Sequence, residues 1–313
     1  MYAQRWMFHG PAYQGVRRID GLGAQGVDGE LVNPGAPGAL LDSAGQLLGY
    51  WLVASHPADA LTMPTGLERL RLYGPHPAAG TAVGCRARER ELRPQLLLAD
   101  LELTVDDRLW CRVEGWADHR FEADQVMVLL MRQPERTRLS EDHGGLAWFD
   151  DQAHRTPSRD WLARRYLSQA ERDSLQAAGP RVQRQLLDDR VAAKDAVRQL
   201  LWDRGEGPLF PVEVAVEAAD PTQRVLEAVV RGERRVWVAV DHAGSCSAAV
   251  ASTEGPPGVA IGPSDADRYD LARRAAGAPS DAPASRTADG VRVDDAHVVL
   301  VDIGPHLVAF THR

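Results

Sequence analysis

The pattern of apolar and polar positions changes along the first 135 residues. Residues 40–55 form an apolar run without proline behind a cluster of proline and glycine, and this predicts a helix. Residues 95–103 and 109–116 alternate apolar and polar side chains, which predicts two strands separated by a turn at the Asp106-Asp107 pair. One helix with antiparallel strands predicts an α+β domain over residues 1–135.

The pattern then breaks before a second domain begins. Residues 136–157 contain the Gly144-Gly145 pair and Pro157, and this composition predicts a linker. Residues 158–313 are predicted to form a second domain. Near its start, Ser168 and Glu171 have the spacing of a helix N-cap residue and its capping-box partner.

A long helix is predicted within this second domain, over residues 182–201. Apolar side chains recur there at helical spacing and define one face. The opposite face carries charges, namely Arg184, Asp188, Lys194, Asp195 and Arg198. An amphipathic surface helix normally turns such a face to water, so we expect these charges to be solvated.

Composition excludes several classes of function. The 313 residues are 44% hydrophobic and 26% charged, which is ordinary for a soluble protein of two domains. A formal net charge of −8 argues against nucleic-acid binding. The cysteines Cys85, Cys111 and Cys246 form no closely spaced pair, so we expect reduced thiols and a cytoplasmic protein. No apolar run reaches the roughly 18 residues of a membrane span, and no spacing of His and Cys predicts a metal site.

Asp42 and Gln46 are the candidate catalytic residues. On a helix, positions i and i+4 share a face, so Gln46 can hold the Asp42 carboxyl by a hydrogen bond. The surrounding leucines would keep water away and favour the neutral, proton-donating acid. The alternative is a solvated aspartate that caps the start of the helix.

Three motifs, in this order, resemble the second half of a polyketide synthase dehydratase, which has a double hot-dog fold. Phe8-His9-Gly10-Pro11-Ala12-Tyr13 is similar to the family's aromatic-x-Gly-Pro-x-aromatic motif. Asp42 to Gln46 is similar to its Asp-x-x-x-Gln motif, and Met63-Pro64 is similar to its Leu-Pro motif. Residues 115–121 resemble the closing strand of dehydratases in iterative enediyne-type synthases. The chain begins almost on the first motif, as expected for a piece of a larger enzyme.

The resemblance implies syn loss of water from a 3-hydroxyacyl thioester on an acyl carrier protein. Asp42 would protonate the leaving hydroxyl and Gln46 would orient Asp42. Substrate-binding residues would be His9, Gly10, Pro11, Tyr13 and Pro64. The family's base is a histidine in a His-x-x-x-Gly-x-x-x-x-Pro motif, which this chain lacks. The histidine half would then come from an N-terminal dehydratase half, or a homodimer would form, or the site is inactive.

The second domain resembles Sfp-type 4′-phosphopantetheinyl transferases, and this resemblance implies an α/β domain over residues 158–313. Residues 189–197 are similar to the family's Gly-Arg-x-x-Ala-Lys-x-Ala helix, and residues 238–244 to its Val-Ser-x-Ser-His-x-x-Gly strand. The resemblance implies that Arg190, Lys194 and His242 contact coenzyme A. A dehydratase followed by such a transferase is the C-terminal order of enediyne-type synthases.

The transferase motifs are degenerate where they should bind Mg²⁺. Ala260 and Gly262 stand where the family has the acidic residues of Gly-Ile-Asp-Ile-Glu, and Asp270 is the remaining carboxylate nearby. Mg²⁺ requires several hard oxygen ligands. We therefore expect no metal, no catalytic cofactor, at best weak coenzyme A binding, and an inactive domain.

Two further functions remain open beside the dehydratase component. The chain could be a non-catalytic scaffold or carrier-docking module of a polyketide assembly. It could also retain residual phosphopantetheinyl transfer, if another carboxylate such as Asp265 or Asp267 held Mg²⁺. In each case an acyl carrier protein is the expected partner, and neither nucleic acid nor a membrane is.

Overall fold

A computed structural model describes residues 1–56, 59–122, 125–153, 159–217 and 224–311. The chain divides into two compact units, Met1–Val128 and Leu129–Arg313. Among the described helices, none is long and apolar enough to cross a membrane.

The first unit consists of one long helix and seven strands, after a short 3-10 helix at Pro11–Tyr13. The elements in chain order are β1 (Val16–Gly23), β2 (Gly26–Val32), α1 (Ala39–Ser55), β3 (Asp59–Gly66), β4 (Arg69–Leu72), β5 (Ala82–Arg93), β6 (Leu96–Val105) and β7 (Arg108–Glu122). The strand order is β1-β2-β5-β6-β7-β3, with β4 also pairing with β7, and all pairs are antiparallel.

Helix α1 lies against this sheet and supplies one side of the core. Leu47, Leu48, Trp51 and Leu52 are completely buried. Along β6, every second residue from Leu97 to Leu103 is buried, as expected for a strand with one face on a core. A sheet wrapped around a single helix is the hot-dog arrangement, so the α+β prediction for this region is confirmed.

The predicted turn at Asp106 and Asp107 joins β6 to β7. Both residues have positive φ, 49° and 58°. A two-residue hairpin of this kind requires the left-handed conformation at both positions, which aspartate tolerates better than most residues.

A further helix, α2 (Gln125–Arg132), leads into the second unit. The remaining elements are β8 (Glu141–Asp142), β9 (Leu146–Asp150), α3 (Arg159–Tyr166), α4 (Gln169–Ala177), α5 (Pro180–Asp203), β10 (Val214–Glu217), β11 (Val225–Val230), β12 (Arg234–Ala243), β13 (Cys246–Ser252), β14 (Val259–Pro263), α6 (Arg268–Ala276), β15 (Ala284–Arg286), β16 (Gly290–Val293), β17 (Ala296–Ile303) and β18 (His306–Thr311).

Two sheets face each other in the second unit. One has the order β10-β11-β12-β13-β9-β8 and the other β14-β18-β17-β16-β15. Trp148, Val250, Ile261 and Phe310 belong to the apolar layer between them. All pairings described in this unit are antiparallel, because most neighbouring strands follow each other through short turns. The described strand pairings of this unit are those of an α+β domain. The prediction of an α/β domain does not agree with them.

The predicted linker at residues 136–157 differs from the structure. It contains β8 and β9, and β9 pairs with β13 inside the six-stranded sheet. Leu146, Trp148 and Phe149 are buried there. The glycine pair that resembled a linker is the turn between β8 and β9, with positive φ at both glycines.

The charged face of α5 is also not solvated. Lys194, Asp195 and Arg198 are completely buried. Asp195 accepts hydrogen bonds from the backbone amides of Leu139 and Ser140, at 2.9 and 3.0 Å. Arg198 pairs with Asp195 at 2.9 Å. The expectation of a solvated face was wrong because residues before β8 and the end of α3 cover it and satisfy its charges.

Candidate active site

Helix α1 places Asp42 and Gln46 on one face, one turn apart. The helix begins behind Gly38, whose φ of 75° suits glycine, and Asp42 lies in the first turn. The Gln46 amide nitrogen Nε2 donates to Asp42 Oδ2 at 2.6 Å. The side chain of Asp42 is 38% exposed, so water is excluded only in part, contrary to the dry environment expected from the leucines.

Both polar atoms of the Gln46 side chain form hydrogen bonds. Its Nε2 also donates to the carbonyl oxygen of Tyr13 at 2.8 Å. Its Oε1 accepts from the hydroxyl of Tyr2 at 2.7 Å. Tyr2 in turn accepts from the backbone amide of Val16 at 2.9 Å. Gln46 is 4% exposed, so these bonds form in a nearly dry environment.

Tyr2 is a site residue that the sequence did not reveal. Burial raises the pKa of its phenol, and the charge of Asp42 adds to that effect. It lies outside the motifs and reaches Gln46 only through the fold. No spacing or composition marks it.

His9 contacts the same carboxylate. Its Nε2 lies 3.5 Å from Asp42 Oδ2, and its side chain is 17% exposed. The Phe8 ring stacks on the His9 ring with centroids 4.3 Å apart, although Phe8 itself is 93% exposed. His9 Nδ1 is buried and has no hydrogen-bond partner within the described part of the chain.

The turn that follows His9 is held by hydrogen bonds next to Gln46. Gly10 accepts a backbone hydrogen bond from Tyr13 at 2.9 Å, and Pro11 begins the 3-10 helix. Tyr13 donates through its hydroxyl to Pro37 O at 3.1 Å. The structure thus brings His9, Tyr13, Asp42 and Gln46 together. Pro64 lies exposed on β3 opposite Asp118, and no hydrogen bond or ion pair among the described residues joins it to Asp42.

Gly45, within the same motif, permits close packing behind the site. A Cβ at this position would lie 2.6 Å from the Trp116 ring. Trp116 donates through Nε1 to Asp118 Oδ1 at 2.8 Å, and Thr62 donates to the other oxygen at 3.1 Å. Burial raises the pKa of Asp118. Residues 115–121 therefore support α1 beside Gln46.

The three cofactor residues predicted in the second unit lie in different surroundings. Lys194 is completely buried, and its ammonium donates to Tyr166 O, Glu171 and Pro211 O. Binding a phosphate would require breaking these contacts. Arg190 lines a cavity of about 430 Å³ between α4 and α5. His242 instead contacts Gln185 and Arg224, each at 2.8 Å from Nδ1.

Ala260 and Gly262, which stand where the transferase family has its acidic Mg²⁺ ligands, lie in closely packed surroundings. Ala260 is 2% exposed on β14. A Cβ on Gly262 would lie 3.0 Å from the Ala266 side chain and 3.2 Å from that of Leu271. Within the described residues, no group of three or more His, Cys, Asp or Glu side chains is arranged to hold a metal ion.

One protein family matches the first unit. Residues 1–127 match the sequence model described as "Polyketide synthase dehydratase N-terminal domain". The first unit therefore has a hot-dog fold that is similar in sequence to polyketide synthase dehydratases. The matched description names the N-terminal domain, whereas the motif order resembles the second half, so assignment to the second half stays a prediction. No curated protein is similar enough to count as a match to the chain.

Solved structures with similar folds include dehydratases. The dehydratase heterocomplex ApeI:P from Xenorhabdus doucetiae is 12% identical, with a TM-score of 0.33 over 41% of this chain and 96% of that one. A trans-AT polyketide synthase dehydratase domain from Brevibacillus brevis is 18% identical, with a TM-score of 0.30 over 36% and 43%. The dehydratase domain of the CurJ module of curacin polyketide synthase is 14% identical, with a TM-score of 0.33 over 39% and 47%. The chain thus spans less than half of the last two dehydratase domains.

Proposed function

We propose that the dehydratase-type hot-dog removes water from a 3-hydroxyacyl thioester carried by an acyl carrier protein. The observation that carries this proposal is the bond between Gln46 Nε2 and Asp42 Oδ2, at 2.6 Å, within the motif that resembles the dehydratase acid. In this role Asp42 protonates the leaving hydroxyl, and Gln46 orients the Asp42 carboxyl group.

The hydrogen bonds also favour one oxygen of Asp42 as the proton donor. A carbonyl oxygen can only accept, so the Tyr13 carbonyl requires the NH₂ group of Gln46 to face it. That orientation directs the second N–H of Gln46 to Asp42 Oδ2. Oδ2 then acts as an acceptor, and the transferable proton is carried by Oδ1, which has no hydrogen bond from the described residues.

The surroundings suit a substrate delivered from outside on a flexible arm. Phe8 and Tyr13 are exposed aromatic residues; the Phe8 ring stacks on His9, and the Tyr13 carbonyl accepts a hydrogen bond from Gln46. The reaction needs a carrier protein. Unless this hot-dog holds its own base, it also needs the histidine half of a dehydratase or a second copy of this chain.

Replacement of Asp42 tests the acid. The full chain is incubated with a 3-hydroxyacyl carrier protein, alone and with a separately produced dehydratase half that contains the histidine motif. The enoyl product is followed by mass spectrometry. Asp42→Asn keeps the shape and removes the transferable proton, so we expect a loss of ~10²-fold or more. Gln46→Ala only loosens Asp42, and we expect a loss of about tenfold.

A matched control is Asp20→Asn, because Asp20 is an exposed β1 residue paired with Arg18. It should leave the rate unchanged. Full activity of Asp42→Asn would reject Asp42 as the acid. If the wild type dehydrates nothing, either alone or with the added histidine half, the dehydratase proposal fails. The carrier-docking module is then the remaining function for this unit.

We propose for the second unit a transferase-like domain without transferase activity, in the order found in enediyne-type synthases. Support comes from Ala260 and Gly262, which offer no side-chain ligand. A cavity of about 580 Å³ beside Ala260 is lined by Arg224, Asp241 and Arg274 among others. Both arginines already pair with Asp241, at 3.7 and 3.6 Å, so they could attract a pyrophosphate only weakly without a metal.

A further inference from the structure

We propose that His9 is the general base of the same site, so that one hot-dog carries both the acid and the base. The inference rests on the proposed dehydration. It removes the need for a histidine from a second half. The starting observation is the separation of 3.5 Å between His9 Nε2 and Asp42 Oδ2.

The geometry of syn elimination requires such neighbours. The α-proton and the β-hydroxyl leave from the same side of two adjacent carbons, which are about 1.5 Å apart. The base and the acid must therefore lie side by side on one face of the substrate, each within hydrogen-bond reach of its own atom. A nitrogen and a carboxyl group separated by 3.5 Å meet this requirement without a large rearrangement.

The step balances within the pair. His9 Nε2 takes the α-proton, and the electrons of that C–H bond form the Cα–Cβ double bond. The Cβ–O bond breaks, and Asp42 gives its proton to the departing oxygen, which leaves as water. An imidazolium and a carboxylate remain. The imidazolium then releases its proton to solvent, and the Asp42 carboxylate, whose side chain is 38% exposed, takes up a proton at Oδ1, which restores both groups.

His9 is constrained in a way that suits this role. Its ring is held by stacking on Phe8, and its backbone carbonyl accepts from Gln14 Nε2 at 2.8 Å. For Nε2 to be the base, the neutral ring must carry its proton on Nδ1, which is buried and without a partner among the described residues. A buried polar atom without a hydrogen-bond partner is unfavourable, and a catalytic role is one explanation for such an atom.

The test compares the full chain with His9→Ala, His9→Gln and the control His76→Ala. The probes are 3-hydroxybutyryl and 3-hydroxyoctanoyl thioesters of N-acetylcysteamine and the corresponding carrier-bound forms. We expect the wild type to be active without an added dehydratase half and both His9 variants to lose ~10²-fold or more. Added imidazole should restore His9→Ala in a dose-dependent manner, which a merely structural histidine would not allow. His76 contacts Pro77 O and the Trp110 ring, so its replacement should have no effect.

The outcomes separate this inference from the function on which it rests. A wild type that is inactive alone but active with an added histidine half would overturn the role of His9 and keep that of Asp42. Unchanged activity in both His9 variants would do the same. A wild type that is inactive under both conditions would reject the dehydration and the role of His9 together.

Discussion

At the scale of single residues, each hydrogen bond around Gln46 has only one possible direction. The amide of Val16 donates to the Tyr2 oxygen, so the Tyr2 hydrogen is free to donate to Gln46 Oε1. The opposite end of the amide then faces Tyr13 O and Asp42. The Tyr13 carbonyl sets the orientation of the Gln46 amide and Tyr2 holds its opposite end, so Tyr2 is a positioning residue.

Replacement of Tyr2 by Phe tests this role. The variant keeps the ring and removes the hydroxyl, so Gln46 Oε1 and the Val16 amide lose their partner. We expect kcat to fall about tenfold, with KM little changed, because the Asp42 carboxyl loses its fixed orientation. Stability should fall by about 1 kcal/mol.

Tyr73→Phe is the matched control for that experiment, since Tyr73 is 52% exposed. It should match the wild type in both kcat and melting temperature. A Tyr2→Phe enzyme with normal kcat and reduced stability would show that Tyr2 only supports the fold.

The sequence predicted part of this site for a clear physical reason. Asp42 and Gln46 are neighbours along one helix, and helical geometry alone brings them together. The motif placed His9 among the substrate-binding residues, with a catalytic role or plain packing as alternatives, and it gave Tyr2 no role. Both reach the site from the irregular segment before β1, and no periodicity describes where such a segment packs.

At the scale of elements, α5 was predicted with nearly correct ends but with a wrong environment. The apolar spacing that predicts the helix does not depend on what covers its other face. That face holds Lys194, Asp195 and Arg198, each of which finds partners from distant parts of the chain. Buried charges are stable only when paired in this way, and the sequence pattern contains no record of those partners.

Asp188 on the same helix gives a prediction for pH dependence. Burial raises the pKa of its carboxyl to about 7, and the charge of Asp151 adds to this effect. The folded state then binds the proton more tightly than the unfolded chain, whose reference pKa is 3.8. This contribution to stability is complete below pH ~3.8 and is lost as the pH rises to about 7.

We therefore expect Asp188→Asn to be more stable than the wild type at pH 8, by ~1–2 kcal/mol, and equally stable near pH 4. Denaturant unfolding at both pH values measures the difference. The control is Asp173→Asn, an exposed residue of α4 that contacts Gln169, and its stability should follow the wild type at each pH. An Asp188→Asn protein less stable than the wild type at pH 8 would contradict the raised pKa.

At the scale of the whole molecule, the number of domains was predicted but their boundary was not. The structure divides the chain after Val128, whereas composition placed the second domain at residue 158. Glycine and proline mark turns as readily as linkers, and here they mark the turn between β8 and β9. The partner of that hairpin, β13, lies almost 100 residues away, and local composition cannot predict a pairing over that distance.

The second unit should have no phosphopantetheinyl transferase activity. An apo carrier protein incubated with this chain, coenzyme A and Mg²⁺ should show no mass gain of a phosphopantetheine arm. Mg²⁺ bridging a pyrophosphate needs several oxygen ligands, and Ala260 and Gly262 supply none. A mass gain would contradict the proposal that the second unit lacks transferase activity.

Restoring the two carboxylates tests the cause of that inactivity. Ala260→Asp puts a carboxylate on a position that is 2% exposed, and the side chain of Gly262→Glu must pass Ala266 and Leu271, which lie 3.0 and 3.2 Å from its Cβ. We expect the first variant to fold with reduced stability and the second to be less stable still, because its neighbours have packed into the vacated space. Mg²⁺ binding, measured by calorimetry, should remain weak in Ala260→Asp alone. If the double variant binds Mg²⁺ but transfers nothing, the loss of activity extends beyond these two ligands to the short segment between Gly262 and Arg268, where the transferase family has an additional helical segment.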